Sequence, residues 1–221
     1  MNTFIVDETR AVTLVGAGQP EPQDLEESLS LAPVLVAADG GASLALAQGR
    51  VPEAVIGDFD SISKQSQAQI PKERLFPIRE QETTDFDKAL CSLRAPLILG
   101  VGFLGGRLDH QLAALNTLVQ RADRRCILIG AQELVFHVPQ HVTLPLAAGD
   151  VVSLFPLAPV RGSSTGLEWP IDGLLLEPGA RIGTSNRATG PVQLATEGPG
   201  LLAMVPRHYL AQLTQALWPV T

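Results

Sequence analysis

The stretch that decides the fold is VIGDFDSI, Val55–Ile62. Val55 and Ile56 lead into Gly57, and then Asp58 and Asp60 straddle Phe59. A short apolar run closed by a glycine and acids reads as a buried strand leaving a parallel sheet. If the segment stays extended, alternation sends Asp58 and Asp60 one way and anchors Phe59 in the core. The C-terminal edge of such a strand is where open α/β sheets bind ligands. Two neighbouring carboxylates repel unless a proton or a cation separates them. Mg2+, a hard ion that takes a few carboxylates together with phosphate oxygens, suits the pair. A plain Asp-capped turn between strand and helix would carry the same letters, so this motif alone leaves both readings open.

Outward from it the chain alternates. AVTLVG, PVLVAAD, RLFPI, PLILGVGFL and RCILIGA are further Val- and Leu-rich runs. Helix-like segments separate them at Pro22–Leu31, Gly41–Gly49, Ser63–Glu73, Thr84–Arg94 and Leu108–Asp123. In the last, Leu108, Leu112, Leu115 and Val119 recur at helical spacing. Such alternation predicts a doubly wound α/β domain with a mostly parallel sheet over residues 1–132. From Glu133 the pattern changes to LVFHV, HVTLPL, DVVSLFPL, GLLLEPG, PVQLATEG and LLAMVPR, punctuated by Gly and Pro. This predicts an all-β sandwich over 133–221, with a helix only in the last dozen residues.

Three further motifs sit at predicted strand ends. AADGGAS places Asp39 beside Gly40 and Gly41 before a helix, where backbone N–H groups can approach a phosphate or ribose. In QETTDFDKAL, Thr83 or Thr84 is a helix N-cap. Asp85 and Lys88 share a face there, while Asp87 points elsewhere. Asp85 is therefore the candidate metal ligand and Lys88 a phosphate contact. GFLGGRLDHQLAAL joins Gly105, Gly106 and Arg107 to a helix opening with Asp109 and His110, the makings of a polyphosphate cradle. Each motif alone could be an ordinary turn or capped helix. Together, carboxylates for metal with glycines, Lys and Arg for phosphate point to phosphoryl or pyrophosphoryl transfer. No G-x-x-x-x-G-K-[ST] is present, and Gly16-Ala17-Gly18 lacks the third glycine of a dinucleotide fingerprint. His137 and His141 are separated by Pro139 in a strand-like region and do not form a helical metal pair.

The 221 residues are 45% hydrophobic, enough for a substantial core, and carry a net charge of -7. With no Lys/Arg run, nucleic acid is not an expected partner. Cys91 and Cys126 lie in apolar segments and read as buried thiols of a reducing compartment. The start, MNTFIVDETRAV, does not read as a secretory signal, and no apolar run reaches the ~20 residues of a membrane helix. A cytoplasmic protein without a membrane partner is expected.

The ordered series ADGGAS, GDFDS, TTDFDKAL, GGRLDHQLAAL, SSTGLEWPI and GTSN resembles the thiamine pyrophosphokinase family. The resemblance implies an α/β catalytic domain, a β-sandwich domain and a homodimer with active sites between subunits. It implies transfer of pyrophosphate from ATP to the hydroxyl of thiamine, giving thiamine diphosphate and AMP, with Mg2+ as cofactor. It makes Asp58, Asp60 and Asp85 the magnesium ligands and, with Arg107, the catalytic set. Asp39, Gly40, Gly41, Lys88, Arg107 and Asp109 become the nucleotide and phosphate surroundings. Trp169 becomes the ring that stacks on thiamine, with Gln81, Thr84, Thr184, Ser185 and Asn186 lining the vitamin site. An aromatic platform suits flat, electron-poor rings. The series departs from the family at Ser43, where asparagine is usual, at Gly183-Thr184 in place of Ser-Thr, and at Asp87, an additional carboxylate. Two rival readings are a pyrophosphokinase for another hydroxymethyl heterocycle, such as a pterin, and a nucleotide or thiamine sensor without turnover. GLEWP and GTSN speak against the first, and the set of metal-directed carboxylates speaks against the second.

Overall fold

A computed structural model describes residues 4–218. The first three residues of the N-terminal stretch and the last three of the predicted C-terminal helix lie outside the described residues. The chain forms two compact units, one of residues 1–117 with 128–131 and the other of 118–127 with 132–221.

In chain order the first unit contains Val6–Asp7 (β1), Val12–Val15 (β2), Asp24–Leu31 (α1), Val34–Ala38 (β3), Gly41–Ala47 (α2), Ala54–Gly57 (β4) and Lys64–Gln67 (α3). Leu75–Pro77 (β5), Asp85–Ser92 (α4), Leu93–Arg94 (β6) and Ile98–Val101 (β7) follow. The residues of Leu108–Gln120 (α5) and Cys126–Ile129 (β8) are divided between the units. Strands β7, β2, β3, β4 and β5 lie side by side in that order, all parallel. Every residue of β2, β3, β4 and β7 is buried, which is why these strands show no polar alternation; their one hydroxyl, on Thr13, donates to the Ala32 carbonyl at 2.7 Å. The chain winds outward from β2 through β3 and β4 to β5, then returns to place β7 on the other side of β2. The winding direction therefore reverses between β2 and β7, and the loops after these two strands run in backbone contact, the Gly18 N–H donating to the Gly102 carbonyl at 2.9 Å.

Two sequence expectations fail here for local reasons. The predicted helix over Ser63–Glu73 is only α3, begun by Ser63, whose hydroxyl accepts the Ser66 N–H at 3.0 Å. It cannot run on because Ile70 precedes Pro71, and a residue before proline is pushed out of the helical region. A 3-10 turn at Lys72–Arg74 replaces it. Phe59 is not a core anchor either. The strand ends at Gly57, the Asp58 carboxylate accepts the Asp60 N–H at 3.2 Å, and Phe59 takes a left-handed backbone with φ of 68°. The alternation stops there, leaving Phe59 half-buried, and Ile62 goes into the core instead.

The second unit contains Glu133–His137 (β9), His141–Leu144 (β10), Val151–Pro156 (β11), Val160–Leu167 (β12), Leu175–Leu176 (β13), Gly183–Thr196 (β14), Leu201–Pro206 (β15) and Leu210–Ala216 (α6). Strands β9, β15, β11 and the start of β14 form one antiparallel layer. The remainder of β14 pairs with β10 on one side and with β12 on the other, and β12 pairs with β13. One strand thus serves both layers of the sandwich. It changes partners between Arg187, opposite Val151, and Ala188, opposite Leu167. Cys126 is buried, whereas Cys91, read from sequence as a buried thiol, is exposed on α4. No helix among the described residues is long and apolar enough to cross a membrane.

Candidate functional site

The acidic loop of the first unit is assembled by short-range contacts at the ends of β3 and β4. Asp39 follows β3 with a positive φ of 39° and is 1% exposed. Its carboxylate accepts the N–H groups of Ser61 at 3.0 Å and Ile62 at 3.2 Å, so a buried charge shapes the loop carrying Asp58 and Asp60. Burial pushes the Asp39 carboxyl up to about 6. The nearby charges of Asp85 and Asp58 push the same way, and the two N–H donors partly oppose. The elements come this close because position 57 is glycine. A Cβ there would stand 2.7 Å from Cβ of Asp39 and 3.1 Å from Oδ1 of Asp85.

Asp58, Asp85 and Lys88 form a second layer. Lys88 Nζ lies 3.1 Å from Asp58 Oδ2 and 3.3 Å from Asp85 Oδ1. Gln81 Nε2 also donates to Asp58 Oδ2, at 3.1 Å. Desolvation raises the Asp58 carboxyl, but the bonds from Lys88, the Asp60 N–H and Gln81 leave it below the usual range. Burial keeps the Asp85 carboxyl above its usual value despite Lys88. Thr84 caps α4 by accepting the Asp87 N–H at 3.2 Å. Asp87 itself is buried.

Carboxylate oxygens of Asp39, Asp58 and Asp60 lie within 4.8 Å of one another. Three hard oxygen donors, one buried on Asp39, one half-buried on Asp58 and one exposed on Asp60, fit a divalent ion of the magnesium type. The sequence groups Asp85 with Asp58 and Asp60. The structure brings Asp39 into that group and holds Asp85 beside it through Lys88.

A cavity of about 500 Å³ opens beside these carboxylates. It is lined by Gly40 and Thr84, by the turn around Gly105, Gly106 and Arg107, and by His110. Arg107 makes a two-pronged ion pair with Asp109, Nε at 3.1 Å and an NH2 at 2.6 Å, on the exposed rim. Gly41 opens α2 and is buried. The Gly16–Gln19 loop after β2 and Phe103 after β7 also line the cavity. Gly16-Ala17-Gly18 is an incomplete dinucleotide fingerprint in the sequence, and nothing in the sequence pattern marks Phe103 for a site. Gly-Ala-Gly directly after a buried strand was the available signal. Phe103 packs against Phe86, ring centroids 4.3 Å apart, and lies so close over Gly16 that a Cβ there would meet its ring at 2.6 Å.

The remaining sequence-predicted residues belong to the second unit. Trp169 is 55% exposed, an unusual position for the largest side chain. Asn186 is 5% exposed. Its Oδ1 accepts the N–H groups of Trp169 at 3.2 Å and Arg187 at 2.8 Å, and its Nδ2 donates to the Trp169 carbonyl at 2.7 Å. The Asn186 amide is thus committed to the backbone beneath the tryptophan. Thr184 and Ser185 are exposed beside it. Ser185 has a φ of 59°, and its N–H donates to Ser153 Oγ at 3.0 Å.

Comparison with known proteins matches both units in order. The family model described as thiamin pyrophosphokinase, catalytic domain, matches residues 25–129. That described as thiamin pyrophosphokinase, vitamin B1 binding domain, matches residues 135–199. Thiamine pyrophosphokinase 1 of Oryza sativa subsp. japonica is 29% identical over 61% of this chain and 58% of its own length. Thiamin pyrophosphokinase 1 of Caenorhabditis elegans is 31% identical over 62% and 63%. These matches span less than two thirds of either relative. Among solved structures, thiamin pyrophosphokinase from Geobacillus thermodenitrificans is 25% identical with a TM-score of 0.72, covering 89% of this chain and 96% of that one. The Candida albicans structure shares the fold at 17% identity, with a TM-score of 0.73 over 93% and 95%. Two matched domain families in the same order, on a fold shared almost end to end, make this chain a member of the thiamin pyrophosphokinase family.

Proposed function

We propose that the protein transfers the pyrophosphoryl group of ATP to the hydroxyl of thiamine, giving thiamine diphosphate and AMP. The observation that carries this reading is the clustering of Asp39, Asp58 and Asp60 within 4.8 Å beside a glycine-walled cavity. The thiamine oxygen attacks the β-phosphorus, and the bond from that phosphorus to the α,β-bridging oxygen breaks, releasing AMP. Asp58 and Asp60, with Asp39 and Asp85 adjoining, would hold Mg2+, which when bound neutralises phosphate charge. Arg107 swings from Asp109 to the phosphates, and Gly40, Gly41, Gly105 and Gly106 let backbone N–H groups come close to them. Gln81, on Asp58, and Thr84, at the head of α4, stand at the thiamine end of the acidic loop. Trp169 supplies the stacking platform, Thr184 and Ser185 edge contacts, and Asn186 sets the tryptophan's position.

On this reading residues 1–132 are the ATP and metal domain and 133–221 the thiamine domain, in a cytoplasmic homodimer whose sites draw on both subunits. Leu108 and Leu112, one turn apart and exposed on α5, give the chain an apolar stripe suited to self-association. Incubation with ATP, Mg2+ and thiamine, followed by phosphorus NMR, tests the reaction. AMP and thiamine diphosphate should rise together, and ADP with thiamine monophosphate would overturn it. Mixing Asp58→Asn subunits with Trp169→Ala/Asn186→Ala subunits tests the shared site. A mixed dimer then holds one doubly damaged and one intact site, so activity should return. If each chain builds its own site, mixing restores nothing.

A further inference from the structure

Lys88 occupies a position that a simple phosphate contact does not explain. Its side chain is 2% exposed, and it joins two carboxylates from different parts of the chain, Asp58 after β4 and Asp85 at the head of α4. Two of its three ammonium protons point at Asp58 Oδ2 and Asp85 Oδ1. Asp58 also belongs to the carboxylate group that fits a divalent cation. An ammonium and a metal ion at Asp58 therefore compete for the same negative charge. Phosphate oxygens would relieve that competition by giving the ammonium another anion to pair with.

We propose that Lys88 is a resident counter-cation: it holds Asp58 and Asp85 together in the nucleotide-free protein and makes metal uptake depend on the nucleotide. This rests on the metal and nucleotide site proposed above, but not on thiamine or on turnover. Lys88 is here a positioning residue. It weakens the hold on a bare metal ion, and a metal–triphosphate complex releases that restraint because it brings its own partner for the ammonium.

The test is a titration of nucleotide-free protein with Mn2+ alone, followed by electron paramagnetic resonance, for the wild type, Lys88→Met and Lys88→Arg. Lys88→Met should bind Mn2+ on the order of tenfold more tightly, since one competing unit charge has been removed within contact distance. Lys88→Arg should stay near the wild type. A non-hydrolysable ATP analogue should strengthen Mn2+ binding strongly in the wild type and much less in Lys88→Met. A purely structural lysine, or one that only contacts phosphate, predicts unchanged or weaker Mn2+ binding in Lys88→Met, and either result overturns the proposal. So does a failure of both proteins to take up Mn2+ without nucleotide.

If Lys88→Met does not fold, the wild type still decides through its lysine ammonium NMR signals, with Lys88 assigned by its loss in Lys88→Arg. A protected Lys88 ammonium that shifts on adding Mg2+ with the analogue is expected, and an exchange-broadened or unmoved one refutes the idea. Product analysis with thiamine is a separate measurement. Absence of thiamine diphosphate with the Mn2+ pattern intact would sink the proposed reaction and leave the role of Lys88 standing.

Discussion

The two units hold their candidate site residues by opposite means. At the ends of β3 and β4 the first unit concentrates charge. Asp39 is buried and in a strained backbone conformation, Phe59 is left-handed, and Lys88 is clamped between two acids. On β14 the second unit uses one neutral amide. Asn186 satisfies three backbone groups and leaves the Trp169 ring exposed. A loop of mutually repelling carboxylates is poised to change state when a cation arrives. A side chain fixed by a neutral amide with three backbone hydrogen bonds is poised to stay still. The first arrangement suits chemistry on a charged group and the second suits recognition of a flat ring, so lesions in the two units should have different signatures.

The largest expected effect is at the carboxylates. Asp58→Asn and Asp60→Asn keep the side-chain size and remove a charged ligand. Each should lower Mg2+-dependent turnover by about a hundredfold or more while leaving the fold intact, as loss of a transition-state electrostatic group does. Steady-state rates at limiting Mg2+, with circular dichroism as control, check this. A variant with near-normal rates would remove that residue from the ligand set.

Asp39 should betray its burial through pH. Its carboxyl titrates near 3.8 when unfolded and at about 6 in the fold. The folded state therefore holds the proton more tightly between those values. The stability from this group is fully present below its unfolded value and is lost as pH rises through about 6. The loss amounts to roughly 3 kcal/mol at ~1.4 kcal/mol per unit. Denaturant unfolding of metal-free protein at several pH values should show this component, and Asp39→Asn should lack it. Identical slopes in the two proteins would mean that burial of Asp39 carries no such penalty.

In the second unit, Trp169→Ala should raise the thiamine KM by an amount worth roughly 1–3 kcal/mol, as loss of a stacked ring does, and change the ATP KM little. Asn186→Ala should reproduce that KM effect indirectly and also cost stability, about 1–3 kcal/mol for the backbone groups left unpaired. Thermal unfolding separates them, since Trp169→Ala removes only an exposed ring. Equal stability in the two variants would show that Asn186 does not act through the backbone beneath Trp169.

The sheet of the first unit was legible because β2, β3, β4 and β7 are buried on both faces and are apolar except at Thr13. Strand β12 was not. VRGSSTGL has small and polar residues on both faces, and its pairing with β14 and β13 is fixed by partners distant in sequence. In the second unit PVQLATEG was readable, but not the continuation back to Gly183 that makes one strand serve two layers. The acidic motifs were legible as residue types. Their contacts were not, because Asp39 to Ser61, Lys88 to Asp58 and Asn186 to Trp169 are bonds over 17 to 30 residues that spacing does not reveal. Phe59 failed for a local reason, since an aspartate that caps its own loop ends the extended geometry from which alternation was inferred.

The smallest expected effect is at Thr84, which the family resemblance assigns to thiamine and the structure employs as the cap of α4. That helix carries Asp85 and Lys88, so its first turn must be ordered for the acidic set to keep its shape. Thr84→Ala removes the acceptor for the Asp87 N–H and should cost about 1 kcal/mol. In a protein of this size that lowers Tm by roughly 2–4 °C. Thr84→Ser keeps the hydroxyl and should restore the stability. If the hydroxyl serves only the cap, the thiamine KM should follow stability, shifting slightly in Thr84→Ala and not at all in Thr84→Ser. A large rise in thiamine KM in Thr84→Ala with Tm unchanged would reverse the assignment. It would make Thr84 a ligand contact, and one recognition contact would then come from the charged unit.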